Sequence, residues 1–417
     1  MQLMMREINK KASVEDLAIC GGRPSFATPL HVGSPLVPDP AEFLRLVNGA
    51  LERNWLTNGG PLVTQLEAEL AKHLNVRHCV ATCNGTVALE LAIRALDLRG
   101  EVIVPSFTFV ATAHALQWQE ITPIFCDIRP DTHTIDPDQI ERLITPRTTG
   151  IIGVHVWGSV CDVAALEGIA RRRGLALLFD AAHAFGCAAG GRSVGNFGDA
   201  EIFSFHATKF FTTVEGGAIA TNNDVLAEKL RLMRNFGFAG YDRVIHVGTN
   251  GKMNEMCAAM GLANLPHLGD LVDRNTHNHQ TYSTLLAGIR GIRVYSPKQE
   301  RWNHQYVALE VDSNVTGLSR DSLLRALHED GVLARRYFYP GCHRMEPYRS
   351  YYPNAGLLLP ATEQLCDRVL VLPTGKQVDA DSIEAIAGVI RLCIANPERV
   401  SNAVSRAGEH REYQPQA

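Results

Sequence analysis

The chain has 417 residues, 46% hydrophobic and 20% charged, with 40 Lys+Arg against 44 Asp+Glu and a formal charge of -4. That length is more than one compact core needs and predicts two or three domains. The near-balanced charge excludes a general attraction to nucleic acid or to anionic lipid. No apolar run approaches the roughly 18 residues of a membrane span, and Met1 to Lys10, with Arg6 and Glu7, lacks the apolar core of a signal peptide. The ten cysteines, none in a Cys-x-x-Cys pair, read as reduced and mostly buried, so a cytoplasmic enzyme with no metal site is expected.

In chain order, residues 1–30 form an N-terminal segment and 31–269 a large α/β domain. Within that domain Val102–Pro105, Pro123–Cys126, Ile151–Val156, Leu175–Phe179, Glu201–Phe205 and Ala218–Ala220 read as strands. They lack polar alternation, as strands covered on both faces do. Helical patterns such as Val87–Leu98 and Ala164–Arg173 alternate with them, and Gly174 stands where a helix C-cap is wanted. This alternation predicts a mostly parallel sheet. A long helical stretch, bent at Pro266, leads into a smaller α+β domain over 270–400. It holds strand or helix signals at Ile292–Val294, Tyr306–Val311, Asp321–Asp330 and Gly331–Arg336, and a closing helix, Asp381–Leu392. Residues 401–417 are polar and expected to be a frayed tail.

Four short stretches carry chemistry. Cys83-Asn84-Gly85-Thr86 opens a helix, and a small turn at a helix N-terminus can cradle a phosphate with N–H groups and a hydroxyl; a plain Asn or Thr cap fits equally well. Pro105-Ser106-Phe107-Thr108-Phe109 follows a strand, where an aromatic can stack on a planar ring or simply fill the core. Asp180 ends the run Leu175–Phe179, at the strand end where ligand crevices of open α/β sheets lie. A carboxylate there needs a partner, for which a protonated ring nitrogen would serve, unless it only caps the next segment. Lys209, in Ser204-Phe205-His206-Ala207-Thr208-Lys209, lies among Phe205, Phe210 and Phe211. An amine in an apolar pocket has a depressed pKa and becomes a usable nucleophile, although a surface lysine after a strand is the commoner fate.

The order of these pieces, with a Lys 29 residues after an Asp, resembles the DegT/DnrJ/EryC1/StrS family of sugar aminotransferases from about Val32 to Arg391. The stretches that carry the resemblance are Asn58-Gly59-Gly60-Pro61, Gly85-Thr86-Val87-Ala88-Leu89, Val104-Pro105-Ser106-Phe107-Thr108-Phe109, Asp180-Ala181-Ala182-His183, Ser204 to Lys209, Glu215-Gly216-Gly217 and Gly248-Thr249-Asn250-Gly251-Lys252-Met253. It implies the pyridoxal-phosphate fold of aspartate aminotransferase, fold type I. By the same resemblance Lys209 carries pyridoxal 5'-phosphate as a Schiff base and shuttles the substrate proton, and Asp180 pairs with the pyridine nitrogen. His183 lies near the phenolic oxygen, and Phe109 stacks on the ring. Gly85, Thr86 and Ser204 hold the phosphate, while Asn250 reaches the phosphate of a neighbouring subunit, so a homodimer with shared sites is implied. Lys209 separates the chain from relatives that carry His there and catalyse deoxygenation. Phe109 stands where some relatives have a larger aromatic, and His183 where some have Gln.

Family members move an amino group from a donor, usually glutamate, to a ketone on a nucleotide-linked sugar. Phe205-His206-Ala207-Thr208-Lys209 matches members that act at C4 of a 4-keto-6-deoxyhexose, whereas C3-specific members more often show Tyr-Pro before the lysine. The expected substrate is therefore a dTDP-linked 4-keto-6-deoxyhexose. Thr57, Asn58 and His206 are placed on the substrate side. Arg335-Arg336-Tyr337-Phe338-Tyr339-Pro340-Gly341-Cys342-His343 looks like the substrate-facing loop of the small domain. Arg335, Arg336, Tyr337, Tyr339 and His343 would face the substrate there, the arginines and tyrosines suiting a diphosphate and a sugar or base face. The competing readings are a nucleotide-sugar 3-aminotransferase, an amino-acid-specific enzyme on the same cofactor, and a non-catalytic regulator on this fold. The intact Lys209 and the absence of a basic patch or an appended helix-turn-helix weigh against the regulator.

Overall fold

The computed structural model describes residues 7–35 and 37–408. Seven strands form the large sheet: β1 (His78–Thr82), β2 (Glu101–Pro105), β3 (Thr122–Cys126), β4 (Thr148–Val154), β5 (Ala176–Asp180), β6 (Ala200–Ser204) and β7 (Gly217–Thr221). Their order across the sheet is β1-β7-β6-β5-β4-β2-β3. Only β7 runs antiparallel to its neighbours.

Successive strand residues bury themselves on opposite faces. Ile103, Ile151, Leu177 and Phe203 meet one helical layer that includes Pro61–Leu74 and Val163–Arg173. Val104, Ile152, Leu178 and Ile202 meet the other layer, which holds Gly85–Ala95 and Asp224–Met233. Each such side chain contributes roughly 1.5–3 kcal/mol when fully buried, which is why these strands carry no polar alternation. The predicted C-cap forms as expected, with Gly174 at φ 64° after Arg173. At Pro266 the helix Glu255–Asn264 gives way to a single 3-10 turn, Leu265–His267, before Leu268–Leu286 continues. Proline has no N–H to donate and crowds the preceding turn, so the bend falls where the sequence puts it.

The second core gathers around the antiparallel strands β8 (Ile292–Val294), β9 (Val307–Val311) and β10 (Val369–Leu372). Val14, Leu17, Phe26 and Leu30 of the N-terminal segment pack into this same core. The segment is also fastened by charge: Asp330, fully buried, pairs with Lys11 at 3.1 Å and accepts from the Ser25 hydroxyl at 2.9 Å. In the stretch 331–336 only Val332–Leu333 is a strand, pairing with Leu30–His31, while Arg335 makes an isolated bridge to Val371. The tail expected to fray from residue 401 is corrected in its first turns. Pro397–Ala407 is a helix whose Val400 is buried in the second core, while 409–417 lie outside the described residues. Among the described residues no helix is long and apolar enough to cross a membrane.

Candidate active site

The carboxyl ends of β1 and β6 and the amino end of β7 meet at one edge of the sheet, since Gly217 pairs with both Thr82 and Ser204. Asp180 ends β5 beside them. A cavity of about 460 Å³ opens at this edge. Of the residues singled out in the sequence, Gly85, Thr86, Phe109, Asp180, His183, Ser204, His206, Lys209, Arg335 and Tyr337 line it.

One wall is the start of the helix Gly85–Ala95. Asn84 is its cap, the side chain accepting from the N–H of Val87 at 2.8 Å. The N–H groups of Gly85 and Thr86 have no helical acceptor and carry the positive end of the helix dipole. The approach of this turn to the sheet is close. A Cβ on Gly85 would stand 2.9 Å from the Ser204 Cβ, and one on Gly217 would stand 2.7 Å from the Asn84 backbone. Glycine at both positions lets a ring of N–H groups and the Thr86 and Ser204 hydroxyls converge, which suits a phosphate.

Asp180 is 6% exposed. It accepts from the Thr112 hydroxyl at 2.8 Å and from the Ala182 N–H at 3.1 Å. Thr112 is held in turn by Thr108, four residues earlier in the turn before the helix Ala111–Gln117, at 2.8 Å. Burial raises the Asp180 pKa, against the two hydrogen bonds and the nearby Lys209 charge, which lower it. A buried carboxylate that forms no ion pair among the described residues and faces a cavity is a receptor for a cation.

Lys209 follows β6 on the opposite wall. Burial lowers its pKa to about 8, while Tyr337 and Asp180 act to raise it. Its Nζ lies 3.4 Å from the Tyr306 hydroxyl. Such an amine is a free-base nucleophile over a much wider pH range than an exposed lysine. His183 is buried between aromatic neighbours, its ring stacked 5.6 Å from that of Phe338. Burial holds its pKa well below the ordinary value, with Lys209 adding to the effect. Nδ1 accepts the Trp157 backbone N–H at 3.3 Å, which leaves the proton of the neutral ring on Nε2 as a donor. Phe109 is 56% exposed at the cavity wall, an uncovered ring available for stacking, whereas Phe107 is fully buried in the core.

The remaining predicted substrate residues, and Asn250 of the predicted phosphate contacts, lie elsewhere. Asn58 lines a separate cavity of about 110 Å³ with Arg231, Arg234 and Lys252. The Thr57 carbonyl accepts from the Trp55 indole N–H at 2.7 Å, and Asn250 is exposed outside its own chain's cavity. Arg336 pairs with Asp321 at 3.1 Å and covers the ring of Tyr339, so both point away from the cavity. His343 is corrected to a packing role. It is 3% exposed, with one ring nitrogen 2.7 Å from the Ser106 hydroxyl and the other 2.5 Å from Glu363. Sequence reasoning missed Thr112, Trp157 and Tyr306. The pairing of Thr108 and Thr112, four residues apart after a strand, was the available signal for the first. A phenol immediately before an apolar strand was the only signal for Tyr306, and Trp157 had none.

The site can therefore hold a phosphate, a flat ring with a protonated nitrogen, and a covalent bond to an amine. The comparisons with known proteins point the same way. The DegT/DnrJ/EryC1/StrS aminotransferase family matches residues 39–391. The dTDP-4-amino-4,6-dideoxy-D-glucose transaminase of Shigella dysenteriae is 38% identical over 366 residues, 87% of this chain and 98% of that protein. The transaminase of the same name from Escherichia coli is 34% identical over 365 residues, 87% of this chain and 98% of that one. The crystal structure of DesI in the presence of its TDP-sugar product matches with a TM-score of 0.90 and 46% identity, over 94% of this chain and 100% of the other. With a match across most of its length, a fold of type I and a lysine and aspartate converging on one cavity, this chain belongs to the DegT/DnrJ/EryC1/StrS aminotransferase family.

Proposed function

We propose that this chain binds pyridoxal 5'-phosphate and transfers an amino group from glutamate to the C4 ketone of a dTDP-linked 4-keto-6-deoxyhexose. The observation that carries the cofactor assignment is the placement of Lys209 and Asp180 in one cavity, beside a helix N-terminus crowded against Ser204. When bound, the cofactor supplies an electron sink for the carbon that loses its proton. The chain's own residues do the rest. Asp180 holds the ring nitrogen protonated, His183 donates from Nε2, and Gly85, Thr86 and Ser204 bind the phosphate. Phe109 stacks on the ring, and Lys209 anchors the cofactor covalently and then moves the proton. Glutamate leaves as 2-oxoglutarate.

The C4 assignment is supported by His206 and by the named activity of the relatives. His206 lines the cavity three residues before Lys209, its Nδ1 2.9 Å from the Thr208 hydroxyl and its Nε2 3.5 Å from Glu215. A ketone reacts only when held within about 3–3.5 Å of the attacking amine on the correct face, so this wall selects the position. The test is incubation with glutamate and either dTDP-4-keto-6-deoxyglucose or its 3-keto isomer, with NMR of the product. A higher kcat/KM for the 3-keto isomer would refute the C4 assignment and leave the aminotransferase intact.

The working unit is a homodimer with shared sites. Asn250 does not line the cavity of its own chain, and the segment before it exposes Phe236, Tyr241, Val244, Ile245 and Val247. A run of exposed apolar side chains of this kind marks an association surface. We place the enzyme in the cytoplasm, a reading supported by its ten unpaired cysteines.

A further inference from the structure

Two consecutive arginines of the small-domain loop have opposite fates. Arg336 is committed to Asp321 and to the ring of Tyr339. Arg335 lines the cavity and, among the described residues, forms no ion pair. Its backbone is fixed at both ends, donating to the Val371 carbonyl at 3.0 Å and accepting from the Val371 N–H at 2.8 Å. Its guanidinium lies 4.7 Å over the ring of Tyr337. The Tyr337 ring is 5.8 Å from that of Tyr306, whose hydroxyl is 3.4 Å from the Lys209 amine. A permanent cation is thus held on the same wall as the reacting lysine, linked to it through the rings of Tyr337 and Tyr306.

The rest of the lining supplies no rival for an anion on that side. His183 is neutral, His206 faces Glu215, and the phosphate cradle is built from N–H groups and hydroxyls. We propose that Arg335 receives the carboxylate of the amino-acid donor, forming a bidentate pair that fixes the donor's α-carbon toward Lys209. This deepens the aminotransferase reading and rests on it. The donor chemistry is favoured over the sugar nucleotide's diphosphate by connectivity. An α-carboxylate sits two bonds from the reacting nitrogen, whereas the diphosphate hangs from C1, across the ring from a reacting C4. Arg335, the other Lys or Arg side chain lining the cavity with Lys209 among the described residues, is therefore placed to meet the carboxylate.

The test uses the cofactor-loaded enzyme with Arg335→Gln and Arg335→Lys, folding being checked by circular dichroism. Glutarate, a dicarboxylate with no amine to react, and thymidine diphosphate are titrated separately by calorimetry. Arg335→Gln should weaken glutarate binding by at least about tenfold, as expected when a bidentate ion pair is exchanged for a neutral amide. Arg335→Lys should fall between, and thymidine diphosphate should bind the variants and the wild type alike. Unchanged glutarate affinity overturns the proposal. So does a loss confined to thymidine diphosphate, or an equal loss of both ligands. Failure of the wild-type enzyme to form 2-oxoglutarate from glutamate would instead refute the underlying reaction, whatever the titrations show.

Discussion

Replacing Asp180 with Asn separates the electrostatic role of this residue from its structural one. The carboxylate makes two hydrogen bonds, from the Ala182 N–H and from the Thr112 hydroxyl. An amide keeps both. Its oxygen still accepts from Ala182, and its N–H₂ can donate to Thr112, which then turns its own proton to Thr108, 2.8 Å away. Folding should not suffer. Because burial raises the Asp180 pKa, the ionised form is a cost to the folded state once pH rises above the unfolded carboxylate range, and the neutral amide removes that cost. The cofactor-free variant should be at least as stable as wild type at pH 7. Catalysis should respond differently. At an effective dielectric near 20, opposite charges about 4 Å apart attract by roughly 4 kcal/mol, and losing that attraction in the transition state slows the reaction about a thousandfold. Single-turnover kinetics with glutamate on the reconstituted variant, alongside thermal melts, measure both effects. Turnover within tenfold of wild type, with the cofactor bound, would show that Asp180 is a cap and not the ring's counter-charge.

Borohydride reduction of the loaded enzyme followed by peptide mass spectrometry should place the label on Lys209. Lys209→Ala should lose turnover while retaining non-covalent cofactor, and a label on another lysine contradicts the assignment. With its pKa lowered to about 8, Lys209 is protonated and inert below that pH and free above it. Attachment of cofactor to the apo-protein should accordingly accelerate with pH and level off above about pH 8, and a rate still climbing at pH 10 would refute the depressed pKa. Mixing Lys209→Ala with Asn250→Asp subunits should restore part of the activity that each lacks, because every heterodimer then holds one site with both residues intact and one with neither. No recovery under conditions that exchange subunits would argue against a shared phosphate site.

The strands whose ends carry the chemistry were legible because both of their faces are buried. Val102–Pro105 and Leu175–Phe179 read as unbroken apolar runs and lie within a residue of β2 and β5. The edge strand β1 escaped notice, since His78-Cys79-Val80-Ala81-Thr82 is short and mixed in character. Its position is set by pairing with β7, 135 or more residues later, a contact that no local pattern encodes. The same limit governs the site. Asp180, Lys209 and the turn at Gly85 each fit a plain structural role when taken alone, and could be found because they stand together in one order, a helix-opening turn, then an Asp at a strand end and a Lys 29 residues after it.

Residues that act by filling a place give no such signal. Tyr306 and Phe338 belong to a cluster that also holds Phe107, Val154 and Trp157 of the large domain, and only that long-range packing brings them to Lys209 and His183. His343 shows the converse. Its company of arginines and tyrosines suggested a ligand, yet both ring nitrogens are spent on Ser106 and Glu363. Burial explains its state as well, lowering its pKa to about 4, so the ring stays neutral and joins the loop to the helix Pro360–Arg368. Arg335 and Arg336 were indistinguishable by composition. What separates them is a single alternation of the backbone after Leu333, which turns one guanidinium to the cavity and the other to Asp321. For this reason the loop's pairing with Val371, more than the identity of its basic residues, decides which of them can meet a substrate.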